Sequence, residues 1–131
     1  MPHVTVEYTD NLAADGDIPG LLKMIANRCS DSGGHLPLAG VRVRAIRLTE
    51  YVIADDRPEY AFANFTVKLA QGRDEAFMKS FFGDLFERIK AHFADVSAAR
   101  PLALSMYLEE INEAGAFRQN GVRTALGEPQ K

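Results

Sequence analysis

Cysteine is all but missing from this chain: Cys29 stands alone among 131 residues. An internal disulfide is therefore excluded, and one thiol with the scattered His3, His35 and His92 makes no metal-ligand spacing. An excess of positive charge is missing too. Lys and Arg number 15 against 18 Asp and Glu, a net charge of −3. That balance argues against a sequence-independent grip on nucleic acid, which needs clustered cations to displace counterions. No apolar run approaches the roughly 18–20 residues of a membrane span, and no signal-peptide pattern is present. These absences predict a cytoplasmic protein with neither a nucleic-acid nor a membrane partner.

What is there suffices for a core. The apolar share is 47%, and the length predicts one domain, 1–131. HVTVEY (3–8) alternates as a strand, with Val4, Val6 and Tyr8 on one face and His3, Thr5 and Glu7 on the other. A polar turn follows. Asp17 then reads as an N-cap and Pro19 as a first-turn proline ahead of a helix over 21–29. Leu21, Leu22, Ile25, Ala26 and Cys29 form its apolar stripe, and Gly33-Gly34 are expected to end it. Cys29 in that stripe reads as a small buried hydrophobe, not a nucleophile. VRVRAIRL (41–48) alternates as a second strand.

The same order then repeats. AFANFTVKL (61–69) is a strand and GRD (72–74) a turn with Asp74 as cap. Residues 75–97 read as one long helix, with Phe77, Phe81, Leu85, Ile89 and Phe93 spaced by four as its core row. Pro101 breaks the chain before a fourth strand, LALSMYLEEI (102–111). These are two β-α-β units, at about 2–49 and 60–111, whose crossovers should be right-handed with parallel strands. The expected fold is α/β (α+β): a four-stranded sheet with two helices on one face. Aliphatic residues on the other face then call for a neighbouring subunit. The tail 112–131 has no obvious place in the core and is a candidate to reach that neighbour.

The most informative residue is Pro2. Proline cannot donate to a strand ladder. Aminopeptidases, however, remove an initiator Met ahead of a small residue, and proline qualifies. Removal of Met1 would leave Pro2 with a secondary amine, which acts as a general base if burial and nearby positive charge lower its pKa. Parallel pairing brings the starts of strands one and two together, so Arg42 should lie near Pro2. If strand three runs antiparallel to strand one, Arg73 arrives at the same end, beside a helix N-terminus that favours an anion. Guanidinium forks pair with carboxylates. A base beside them suits proton transfer next to a carbonyl in a small polycarboxylate, with the enolate stabilised electrostatically. Neither metal nor organic cofactor is required for that chemistry. Arg47, on the opposite strand face, reads as a surface charge, and the histidines as surface or packing residues, with His3 the one next to the base.

PHVTVEYTDNL, PLAGVRVRA, YAFANFTVKLAQGRD and FRQNGVRTAL together resemble 5-carboxymethyl-2-hydroxymuconate delta-isomerase, of the tautomerase superfamily, from Pro2 to Leu126. The resemblance implies a homotrimer of β-α-β-β-α-β subunits in which the N-terminal proline is the acid–base catalyst. It implies ketonisation of a dienol tricarboxylate in bacterial breakdown of 4-hydroxyphenylacetate through homoprotocatechuate. By the same resemblance Pro2 is the proton shuttle, and Arg42 and Arg73 bind the carboxylates and the carbonyl oxygen. Arg44, on the strand face of Arg42, is a further substrate-binding candidate. Two other readings share the fold: a tautomerase for another unsaturated oxo acid, and a non-catalytic trimeric binding protein.

Overall fold

The computed structural model describes residues 1–129; the last two residues of the tail, 130–131, lie outside them. Four strands form one mixed sheet: β1 (His3–Thr9), β2 (Arg42–Leu48), β3 (Ala61–Ala70) and β4 (Leu102–Ile111). Their spatial order is β2-β1-β3-β4. β1 runs parallel to β2 with His3 opposite Arg42, and β3 parallel to β4 with Ala61 opposite Leu102. The two units join antiparallel through β1 and β3, His3 facing Lys68. The architecture is α+β. The two parallel pairings are those expected from the repeat, and the antiparallel join meets the condition set for Arg73: the starts of β1 and β2 meet the end of β3.

Alternation decides which face is covered. Val4, Val6, Phe65 and Val67 point inward and are almost fully buried. They join one core cluster with residues of α1 (Ile18–Ser30) and α2 (Glu75–His92). Both helices therefore lie on the same sheet face. The other face is mixed, with Asn64 accepting from the Ser105 hydroxyl at 2.7 Å and Ile46 and Tyr107 exposed.

Helix α1 begins three residues before the apolar stripe does. The Asp17 carboxylate accepts from the Gly20 N–H at 3.2 Å, so Ile18 and Pro19 form the first turn. The helix stops at Ser30, ahead of Gly33-Gly34, which lie in the following loop. The single helix expected over 75–97 is two: α2 ends at His92 and α3 (Ala94–Ala99) continues after Phe93. The break has a packing cause. Phe93 is fully buried, close enough to Gly16 that a Cβ there would stand 3.3 Å from its ring. The preceding His92 ties its Nε2 to the Gly16 carbonyl oxygen at 2.8 Å. Helical spacing continues through Phe93, but anchoring both side chains on the β1–α1 loop bends the backbone there (φ −97°, ψ 12°).

The tail makes contacts on its own chain. After β4 it makes a short turn and a small helix, α4 (Gly121–Ala125), and returns to its own chain. The Asn120 amide donates to the Ala39 carbonyl oxygen at 3.1 Å, and Glu128 accepts from the Ala39 N–H at 2.9 Å. Two polar side chains thus hold residues 120–128 on the turn before β2, while Phe117 remains 94% exposed.

Candidate active site

The proline at the head of β1 gives the ladder a carbonyl, not an N–H. Arg42 donates its backbone N–H to the Pro2 carbonyl oxygen at 3.0 Å, which extends the β1–β2 pairing by one bond and needs nothing from the proline nitrogen. Pro2 is buried. Gly40, in the turn before β2, makes room for the terminus: a Cβ there would stand 3.0 Å from the Met1 Cα and 3.5 Å from the Pro2 Cδ. The motif PLAG is therefore a seat for the N-terminus, with glycine where the backbone comes close.

Beside this seat opens a cleft of about 940 Å³, bordered by Met1 and Arg73. Gly72 at φ +105°, a conformation open chiefly to glycine, turns the chain as it leaves β3. Arg73 is then held in place by two carbonyl oxygens: Nε donates to His35 at 3.2 Å and Nη1 to Ala70 at 2.9 Å. Burial lowers the pKa of this guanidinium, and the charges of Glu113 and Glu110 oppose that shift. Arginine stays cationic at such values. A partly desolvated cation of this kind gains from an incoming carboxylate.

Arg42 does not itself line the cleft but reaches a residue that does. Its Nη1 donates to the Ala39 carbonyl oxygen at 2.7 Å, and its Nη2 to the Asn120 Oδ1 at 3.2 Å; Asn120 itself lines the cleft. Arg44 lies two residues further along β2, on the same strand face. Its Nη1 is 3.0 Å from the His3 Nδ1 on the outer sheet face. Burial first, then the charges of Arg44, Arg42, the terminal amine and Lys68, push the His3 imidazole below its ordinary pKa. Of the residues singled out in the sequence, Met1-Pro2, Arg42 and Arg73 come together at one sheet end, and Arg44 meets His3, the residue that follows Pro2.

Sequence reasoning passed over the tail's share of this cleft. Arg118, Asn120 and Arg123 line it together with Arg73. Their signal was the run RQNGVR, polar and cationic around an Asn-Gly pair, which strand and helix periodicity does not register. His35 also borders the cleft, but its ring stacks on Phe77 at 4.0 Å and its Nδ1 lies 2.9 Å from the Ser32 carbonyl oxygen. Cys29 is buried, and burial pushes its thiol up to about 11, so it is held as an inert thiol. Among the described residues, no three His, Cys, Asp or Glu side chains gather as a metal site, and no helix is long and apolar enough to cross a membrane.

Paired β-α-β units joined antiparallel through their first strands, with a proline at the seam, define a protein of the tautomerase fold. The symmetric trimer of a fused 4-OT shares it at a TM-score of 0.68, with 21% identity over 90% of this chain and 92% of that one. The sequence pattern of 5-carboxymethyl-2-hydroxymuconate isomerase matches residues 2–126, and the chain belongs to that family. It is an enzyme of the isomerase class. The 5-carboxymethyl-2-hydroxymuconate Delta-isomerase of Escherichia coli is 38% identical over 122 residues, 93% of this chain and 96% of its own length. The crystal structure of a 5-carboxymethyl-2-hydroxymuconate isomerase from Deinococcus radiodurans R1 superposes with a TM-score of 0.90. Identity there is 36%, over 95% of this chain and 93% of that one.

Proposed function

We propose that this protein ketonises 5-carboxymethyl-2-hydroxymuconate without a cofactor, using the amine of Pro2 as its acid–base group after Met1 is removed. Family membership supports the reaction class. The observation that carries the reading is the meeting of the N-terminus and Arg73 on one cleft, with Arg42 bonded to Asn120 on its wall. Removal of Met1 converts a tertiary amide nitrogen into a secondary amine. The guanidinium charges nearby and partial burial disfavour its protonated form and draw its pKa towards neutrality.

The free amine takes the proton of the 2-hydroxyl as the oxygen becomes a carbonyl. The electron pair moves along the diene, and the distal carbon collects a proton from the same amine. One proton leaves oxygen and one arrives at carbon, so the enzyme is regenerated. Arg42 and Arg73 bind substrate carboxylates and stabilise the charge that develops on oxygen. Arg44 is the weaker binding candidate: facing His3, it would meet substrate where a neighbouring copy brings one to the outer face.

By likeness to trimers of this fold, the working form is a homotrimer. We propose for it a cytoplasmic location and a role in 4-hydroxyphenylacetate breakdown through homoprotocatechuate. The test joins intact mass with an ultraviolet assay on untagged protein. The expected mass lacks one methionine, and Pro2→Ala lowers kcat/KM by roughly 10²–10⁴-fold. Active protein that retains Met1, or full activity in the variant, rules the mechanism out.

A further inference from the structure

We infer that Arg123 is the specificity residue that reads the third carboxylate of the substrate. The inference rests on the reading above and deepens it. A muconate carries a carboxylate at each end, and a 5-carboxymethyl arm adds one more. Arg42 and Arg73 can hold two anionic groups between them, so the third needs a cation on the same cleft.

Among the described residues, two further cations line the cleft, Arg118 and Arg123, and their surroundings separate them. Arg118 is committed: Nη1 and Nη2 donate to the two carboxylate oxygens of Glu113 at 3.0 and 3.1 Å. Such a bidentate pair leaves little charge for a ligand. Arg123 instead donates Nη1 to a neutral group, the Pro129 carbonyl oxygen, at 3.2 Å. An incoming carboxylate can displace that bond with a gain in charge–charge attraction.

Arg123 is also placed by the same atom that places Arg42. The Asn120 Oδ1 accepts from the Arg42 Nη2 at 3.2 Å and from the Arg123 backbone N–H at 3.3 Å. One amide oxygen therefore ties the Arg42 guanidinium to the backbone of Arg123. The second amide atom, Nδ2, secures that arrangement to Ala39. Arg123 is half-buried, which strengthens its pairing with an anion over that of a solvated side chain. A dicarboxylate lacking the carboxymethyl arm would leave it without a charged partner. Discrimination between the two substrates thus falls to this side chain.

The experiment compares methionine-processed wild-type and Arg123→Gln enzyme on 5-carboxymethyl-2-hydroxymuconate and on 2-hydroxymuconate, which lacks the arm. The variant is expected to lower the ratio of the two kcat/KM values at least roughly tenfold, chiefly through the KM of the tricarboxylate. A ratio preserved in the variant overturns the assignment. Should Arg123→Gln fail to fold, Arg123→Lys, which keeps the charge and loses the fork, must lower the same ratio. Calorimetric binding of tricarballylate against glutarate separates this proposal from the isomerase reading. If wild type turns over neither muconate, that reading falls. A preference for tricarballylate that vanishes in the variant still supports Arg123. No preference in wild type, or one that survives the substitution, overturns it.

Discussion

The inward face of the sheet and the end where β1 and β2 begin are built from the same strands by opposite chemistry. On the inward face Val4, Val6, Phe65 and Val67 meet the helices with nothing polar between them. At the sheet end hydrogen bonds hold the functional side chains in place: Arg42 on Ala39 and Asn120, Arg73 on His35 and Ala70, Glu128 on Ala39. Among the described residues, no buried side-chain nitrogen or oxygen lacks a partner. Volume governs the first region and directional satisfaction the second. Damage to one should lower stability, and damage to the other should lower activity.

The largest effect falls on the interior. Phe65→Ala removes a fully buried ring from the centre of the cluster. It should cost about 3–5 kcal/mol of unfolding free energy, read from urea denaturation. An equal cost from a cleft substitution would erase the distinction between the regions. Arg73→Ala tests the other side. Transition-state stabilisation should fall by roughly 2–4 kcal/mol, measured as the loss in kcat/KM, while the denaturation midpoint moves far less. Near-native turnover in that variant would take Arg73 out of the site.

The smallest effect concerns the outer face. The folded-state pKa of His3 lies below its ordinary 6.5. As pH falls through that ordinary value, the unfolded chain binds the proton first, so stability declines. The contribution is fully present above pH 6.5 and is lost towards the lower, folded pKa. His3→Gln should flatten the pH dependence of the urea midpoint in this range. An unchanged slope would show that the cations around His3 leave its titration unaltered.

Legibility in the sequence followed the same division. Strands and helix faces were readable because burial on one side imposes a period on the side chains, as in β2 and in the row from Phe81 to Ile89. Asp17 and Asp74 were readable as caps because an orphan N–H at a helix start selects such residues. The break at Phe93 was not: an apolar residue at the right spacing looks the same whether the helix runs on or bends to seat it. Arg42 and Arg73 could be brought together only by assuming that the two units join antiparallel. The tail escaped because Asn120 and Glu128 act through hydrogen bonds to residues some 80 to 90 positions away, and such partners leave no local period.

By itself the sequence determined the elements, their alternating faces and the proline that heads the first strand, since periodicity and capping are local consequences of side-chain size and polarity. The tertiary structure alone decided which cations share the cleft. It turned Arg44 to His3, locked Arg118 to Glu113 and set Arg123 beside the site. Those outcomes depend on how separate segments pair in space, and a guanidinium is recruited by whichever oxygen the fold brings within reach.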